Sequence, residues 1–330
     1  MAGSGKAHLR DPGDVLIRAE DLVVEFPISR GRVVNAVSGI SLDVKQGETL
    51  GLVGESGCGK STTAKCLIQL PPPTSGSVSY HGTELTSLDD EALRKARTDL
   101  QMIFQDPISS LNPRRKIGDV VAEPLRVWGP RDSAEQTGLV DAMLEAVGID
   151  PDVARDKRPH EFSGGQCQRI SIARALVLNP QVIICDEPVS ALDVSVQAAV
   201  LDLLDELKTQ QGTTYIFVSH DLAVVKAIAD RVAVLYQGRL CEIGPADSVY
   251  AAPFHPYTDV LLGAALEPDP DVAPKLIADD VVELSPPAHG CPFQRRCSRK
   301  LGAICETDTP PAREIASGHV INCHISADNL

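Results

Sequence analysis

Long apolar runs are missing from this sequence. No stretch reaches the roughly 18 uninterrupted apolar residues that a bilayer-crossing helix needs, so any membrane role is expected to pass through partners. The first residues, Met1 to Arg18, are charged and lack an apolar core segment, which argues against a secretory signal and for a cytosolic chain. A surplus of basic residues is missing too. There are 31 Lys and Arg against 45 Asp and Glu, a net charge of −14. Duplex affinity rests on cations that neutralise phosphates, so nucleic acid is not an expected partner. There is no internal repeat. Nine cysteines are present, but in a reducing compartment they do not suggest disulfides.

What is present is enough apolar matter, 43% of residues, for a sizeable core. The length allows two structural units, or one large α/β unit with an appendage. Residues 1–13 read as a polar tail. Leu16 to Phe26, Ile40 to Val44 and Glu48 to Val53 read as strands. A helix is expected from Lys60 until Pro71-Pro72-Pro73 ends it, and another over Ser87 to Thr98, before a strand at Leu100 to Phe104. From about 106 to 178 strand signals vanish and helical stretches dominate, notably Ala134 to Val147 and Gly164 to Leu178. Val182 to Cys185, Thr213 to Val218 and Arg231 to Tyr236 then read as strands, alternating with helices at Val194 to Thr209 and Leu222 to Ala229. Such alternation predicts an α/β fold with a mostly parallel sheet. After Pro253 the chain turns Pro-rich (Pro268, Pro270, Pro274, Pro286, Pro287), a linker into a small C-terminal unit.

Gly54-Glu55-Ser56-Gly57-Cys58-Gly59-Lys60-Ser61 matches the pattern G-x-x-x-x-G-K-[ST]. Its glycines let backbone N–H groups curl inward as an anion nest, and the helix that follows turns its positive end to the same place. Lys60 can reach β- and γ-phosphates, and Ser61, followed by Thr62, can ligate Mg²⁺. Asp186 ends an apolar strand, where it can hold Mg²⁺ through water, and Glu187 can polarise an attacking water. An Asp–Glu pair at a strand end also serves as a solvated turn; Lys60 and Ser61 favour the catalytic role. Ser163-Gly164-Gly165-Gln166 opens a helix, with Ser163 as N-cap and two glycines exposing N–H groups, a second anion site. Glycines are a poor way to begin a helix, costing about 1 kcal/mol each against alanine.

With these residues the chain resembles the nucleotide-binding domains of ABC ATPases over about Leu16 to Gly244. Ser163 to Gln166 resembles their signature motif. The resemblance implies a P-loop NTPase core with a parallel sheet, an antiparallel β portion and a helical insertion. It implies a head-to-tail dimer in which the signature of one domain closes over ATP held by the other. Phe26 falls at the place of the adenine-stacking aromatic, although a Phe there also serves as core. Gln105 falls at the Mg²⁺- and water-contacting glutamine, and Ser190 to Asp193 at the loop that communicates across the dimer. His220 falls at the γ-phosphate histidine. Phe162 and Cys167 depart from the usual leucine before the signature and the long residue after it, and neither removes a group the chemistry uses.

Gln105-Asp106-Pro107, Ser110-Leu111-Asn112-Pro113-Arg114 and Pro253-Phe254-His255-Pro256-Tyr257-Thr258 resemble the peptide and nickel importer ATPases in particular. The ATPase domain is then expected over 14–252 and a peptide-importer-type extension over 253–330. This resemblance implies ATP hydrolysis on the cytoplasmic face of a membrane. It implies two permease subunits, a sibling ATPase or a second copy, and an extracytoplasmic solute-binding protein. The permeases would dock beside Gln105. Nickel, or another small solute, is the alternative to peptides. A non-transport ABC ATPase is a further alternative, although the long coiled-coil insertion or fused second motor usual there is missing. Cys291, Cys297, Cys305 and Cys323 crowd the C-terminal end without CxxC spacing. Arg295, Arg296, Arg299 and Lys300 surround the first two, and cations lower thiol pKa values. The resemblance implies a [4Fe–4S] cluster on these four; zinc, or free or disulfide-bonded thiols, are the alternatives.

Overall fold

The structure of the chain, a computed structural model, describes residues 6, 8–28, 33–130, 132–190, 192–251, 255–265 and 289–326. Ala191, Pro253, Phe254 and the prolines expected to form a linker lie outside the described residues. The chain divides into two compact units, one of Met1–Ser87 with Phe217–Leu330, the other of Leu88–Ile216.

The first unit opens with β1 (Ile17–Pro27), β2 (Val33–Val44), β3 (Thr49–Val53), α1 (Lys60–Leu67), β4 (Ser75–Tyr80) and β5 (Thr83–Glu84). β2, β1, β4 and β5 lie side by side and antiparallel. β2 begins well before the Ile40 expected from sequence. Its first half, through Asn35 and Ser38, is only partly covered, so apolar alternation is weak there and pairing with β1 supplies the order. β4 escaped the sequence reading because Ser75 to Ser79 carries a single apolar residue, Val78.

The second unit holds α2 (Asp90–Ala96), β6 (Leu100–Ile103), α3 (Pro107–Ser110), α4 (Ile117–Trp128), α5 (Ser133–Ala146), α6 (Pro151–Ala154), α7 (Gly164–Leu176), β7 (Val182–Asp186), α8 (Val194–Gln211) and the start of β8 (Thr214–Val218). The helical stretch expected at about 106–178 is contained in it. β6 and β7 pair in parallel, Leu100 with Val182 and Ile103 with Cys185. α4 buries Ile117, Val120, Val121 and Leu125, the one-sided spacing of an amphipathic helix. Aspartates use part of the acidic excess: Asp89, Asp106, Asp132, Asp150 and Asp193 each cap a helix by accepting first-turn N–H groups, each worth about 1 kcal/mol.

The chain returns to the first unit through α9 (Leu222–Ile228), β9 (Arg231–Tyr236), β10 (Arg239–Pro245), α10 (Ala246–Ala251), α11 (Pro256–Ala265), α12 (Ala303–Thr307), β11 (Ala312–Ala316) and β12 (His319–Asn322). Within this unit the strands run β11, β12, β10, β9, β3, with β3 and β9 parallel. β3 is buried along its whole length. β12 pairs with β10, so the C-terminal extension borrows an existing sheet. Its short apolar content therefore does not leave it without a core. Glu242 of β10, fully buried, takes a hydrogen bond from Thr258 at 2.5 Å and pairs with His319 Nε2 at 2.6 Å.

Residues 8 to 10, read from sequence as part of a polar tail, lie against β2. His8 Nε2 meets the Ser41 carbonyl at 2.6 Å. Arg10 donates to Asp43 from its backbone N–H at 2.5 Å and from Nε at 2.8 Å, and to Glu48 at 2.6 Å. Arg231 reaches the same Asp43 at 3.1 Å. Burial raises the Asp43 carboxyl, but the Arg10 N–H, its guanidinium and Arg231 outweigh it and hold the group below its ordinary value. Arg10→Ala is expected to cost about 1.5–3 kcal/mol, the range for a lost hydrogen bond to a charged group, in denaturant unfolding. The advantage of the native protein should be full at neutral pH and shrink as pH falls through the carboxylate range. An advantage that grows on acidification would count against this ion cluster.

Candidate functional site

In the first unit, β3 delivers the chain into Gly54 to Ser61. Gly54 has φ 145°, and a Cβ there would sit 2.2 Å from the Leu235 carbonyl oxygen. Gly59 has φ 98°, and a Cβ there would sit 2.2 Å from the Ala36 carbonyl oxygen. Only glycine fits either place. The loop is therefore pressed onto neighbouring backbone, and α1 starts directly after Gly59 with no side chain capping it, leaving first-turn N–H groups for an anion. Lys60 is buried, and its Nζ donates to the carbonyls of Gly54 at 2.7 Å and Glu55 at 2.9 Å. Ser56 and Gly57 are exposed, and Ser61 and Thr62 half-buried. Burial raises the Cys58 thiol against the pull of Lys60. His220 follows β8 and is exposed, and Phe26, paired with Val34 across β1 and β2, is 41% exposed.

The loop has two further contacts that the sequence did not announce. Tyr257 Oη accepts the Glu55 N–H at 2.9 Å. Arg296 donates to both Glu55 carboxylate oxygens, each at 2.7 Å. Both residues lie some 200 positions or more from Glu55 in the chain. No local pattern signals such pairs, although Tyr257 stands in a segment singled out above.

In the second unit the structure brings Gln105 and Glu187 together: Gln105 Nε2 donates to Glu187 Oε2 at 2.9 Å. β7 carries Asp186, 2% exposed, to its end. Glu187 then adopts φ 48°, a left-handed conformation costly for a residue with a Cβ. Ser163 caps α7: it accepts the Gln166 N–H at 3.3 Å, and Gln166 Oε1 accepts the Ser163 N–H at 3.0 Å. This reciprocal capping box was legible as S-x-x-Q spacing. Ser163, Gly164 and Gln166 are exposed. Asp193 caps α8, accepting from Val196 N–H at 3.0 Å and Ser195 Oγ at 2.6 Å, and these bonds hold its carboxyl below the ordinary value.

Cys291, Cys305 and Cys323 are buried and Cys297 half-buried. They are near enough to perturb one another electrostatically, and Cys291 N–H donates to the Cys305 carbonyl at 2.8 Å. Among the described residues no three His, Cys, Asp or Glu side chains are drawn together closely enough to hold a metal ion. The expectation that surrounding cations lower these thiols is corrected. Burial pushes Cys291 up to about 12 and also raises Cys297 and Cys323. Arg299 and Lys300 pull Cys297 down without prevailing, and the Arg296 guanidinium is committed to Glu55.

Residues 37–190 match the family model for the ABC transporter, and residues 241–305 match that for the oligopeptide/dipeptide transporter C-terminal region. The chain is 47% identical over 322 residues to the oligopeptide transport ATP-binding protein OppF of Salmonella typhimurium, covering 94% of this chain and 96% of the relative. The chain belongs to the ABC transporter ATP-binding proteins. It is also 43% identical to the di/tripeptide transport ATP-binding protein DppF of Pseudomonas aeruginosa, covering 94% and 98%. Among solved structures, the dimeric ATP-binding cassette MJ0796 bound to ADP and Pi is similar at TM-score 0.64 and 28% identity, over 70% of this chain and 99% of that one.

The two glycines that open α7 differ in packing. A Cβ on Gly165 would meet Val196 Cγ1 at 2.5 Å, whereas among the described residues a Cβ on Gly164 meets nothing within 4 Å, and Gly164 is the one expected to face a ligand. Gly164→Ala should therefore leave thermal stability unchanged or slightly raised and lower ATP hydrolysis by about a hundredfold. A stable variant that hydrolyses at the native rate would show that nothing approaches α7 there.

Proposed function

We propose that the chain energises import of oligopeptides or dipeptides, as an ATP-hydrolysing subunit held on the cytoplasmic face of the membrane by two permeases. The observation that carries this is likeness along nearly the whole chain to oligopeptide transport ATP-binding proteins, including the C-terminal region. No helix among the described residues is long and apolar enough to cross a membrane. Phe104 and Ile108, exposed on either side of Gln105, suit docking of an apolar partner helix. The ATPase partner is a sibling chain or a second copy, and an extracytoplasmic binding protein would deliver the solute. Nickel or another small solute stays the alternative, since permeases and binding protein choose the cargo.

In this reading Phe26 stacks on adenine, and Gly54 to Thr62 hold the phosphates through N–H groups and Lys60. Mg²⁺ would be held by Ser61, Gln105 and Asp186, oxygen donors that suit a hard cation, and supplies charge neutralisation when bound. The partner's copy of the Ser163–Gln166 opening seals the γ-phosphate, and Asp193 serves communication across the dimer. Gln105, bonded to Glu187, keeps that carboxylate aimed, and the left-handed turn at Glu187 is local strain of the kind found at working sites. Glu187 takes a proton from the attacking water, and His220 steadies the γ-phosphate. Glu187→Gln should bind ATP as well as the native protein, accumulate a closed dimer and release phosphate at least about a hundredfold more slowly. Full-rate phosphate release would remove Glu187 from the chemistry.

The cysteine group supports a second, narrower reading: a [4Fe–4S] cluster of structural role on Cys291, Cys297, Cys305 and Cys323, with zinc the alternative. Its support is that four thiols from separate turns neighbour one another within one small unit. Loading would need the turns carrying them to close further. Protein purified without oxygen should be brown and carry close to four irons per chain, about the number such a cluster holds. Zinc, or no metal, on analysis of that preparation would overturn the cluster.

A further inference from the structure

Glu55 is the one acidic side chain between Gly54 and Ser61. In a loop that binds polyphosphate, its charge opposes the ligand. The structure does not leave it bare. Arg296 meets it with both arms of its guanidinium at 2.7 Å, the paired geometry that makes arginine–carboxylate contacts strong. Arg296 is itself locked. It is 11% exposed, donates to Tyr236 Oη at 3.3 Å, and lies 5.6 Å over the Tyr236 ring and 5.7 Å over the Phe293 ring. Tyr236 and Phe293 pack edge-on with centroids 5.3 Å apart, and Tyr257, which accepts the Glu55 N–H, packs on Tyr236 at 4.6 Å. One aromatic block thus carries both groups that grip Glu55.

Lys60 now also ties the loop, through the Gly54 and Glu55 carbonyls. Once Lys60 turns to a phosphate those bonds are given up, and beyond the loop's own Cys58 N–H bond to the Glu55 carbonyl, Arg296 and Tyr257 still hold the residue. We propose that Arg296 is a positioning residue for nucleotide binding: it holds and neutralises Glu55, so that the C-terminal extension helps to set ATP affinity. This rests on reading residues 54–61 as the phosphate loop.

The test is titration of the full-length chain with a non-hydrolysable ATP analogue and Mg²⁺. Arg296→Gln should bind roughly tenfold more weakly, and the deficit should shrink in high salt, because an unpaired carboxylate repels the phosphates through a screened field. Adding Glu55→Gln to Arg296→Gln should recover part of the affinity. Arg296→Lys, which keeps the charge and loses the fork, should fall between. A double variant no tighter than Arg296→Gln would overturn the proposal, since Arg296 would then only hold the extension in place. Native affinity in Arg296→Gln would overturn it as well. Should Arg296→Gln fail to fold, native affinity in Arg296→Lys is the overturning result and weakened affinity the supporting one. Lys60→Ala separates the two layers: if it loses the analogue while Arg296→Gln binds normally, the loop reading stands and this inference falls; if Lys60→Ala binds normally, the loop reading itself fails.

Discussion

A Cβ atom has no room at Gly54 or Gly59, and much of what this chain does depends on that. With Leu235 and Ala36 carbonyls 2.2 Å from where such an atom would lie, the loop between β3 and α1 must be backbone packed on backbone. Within it the Glu55 N–H goes to Tyr257 and the Cys58 N–H to the Glu55 carbonyl, and in the proposed reading the other loop N–H groups meet the polyphosphate. Lys60 and the uncapped start of α1 then supply positive charge in the same short segment. A protein with a net charge of −14 thereby keeps a locally positive segment, suited to the nucleotide role proposed for it, and part of the acidic surplus goes to helix caps.

In the second unit five aspartates close helix openings with a carboxylate, as Asp221 does for α9 in the first, whereas α7 opens on Ser163 and two glycines with a neutral capping box. A carboxylate at that position would repel a phosphate, and a neutral cap would not. Gly165 answers to Val196, but a Cβ on Gly164 would meet none of the described residues within 4 Å. In the proposed reading that open space at the start of α7 is where the nucleotide of the other subunit lies.

The sequence made the strands flanking the nucleotide chemistry legible because they are uniformly apolar and end in Gly-rich or acidic punctuation. β3, β7 and β9 fall within a residue or so of their expected bounds. Less visible were β4, whose first five residues carry only Val78 as an apolar side chain, and β11 and β12, whose short pairing depends on β10 lying ready beside them. The motif residues were readable for the same reason the strands were: their chemistry is local in the chain. Arg296 and Tyr257 were not, because their meaning lies in Glu55, hundreds of positions away. The cations beside Cys297 misled through their nearness in sequence. Burial outweighs Arg299 and Lys300 at Cys297, and Arg296, its neighbour in sequence, is bound to Glu55.

The first unit is discontinuous, closing only when residues from Phe217 onward join the first 87. During synthesis β3 emerges long before its parallel neighbour β9 exists, so a strand destined for full burial waits with an unpaired edge, the kind of surface that invites aggregation. The middle unit is contiguous, and its own parallel pair, β6 with β7, is complete before Phe217 is made. A chain cut short before Arg231 would thus carry a complete α7 and a Gly54–Ser61 loop whose strand β3 lacks its β9 neighbour.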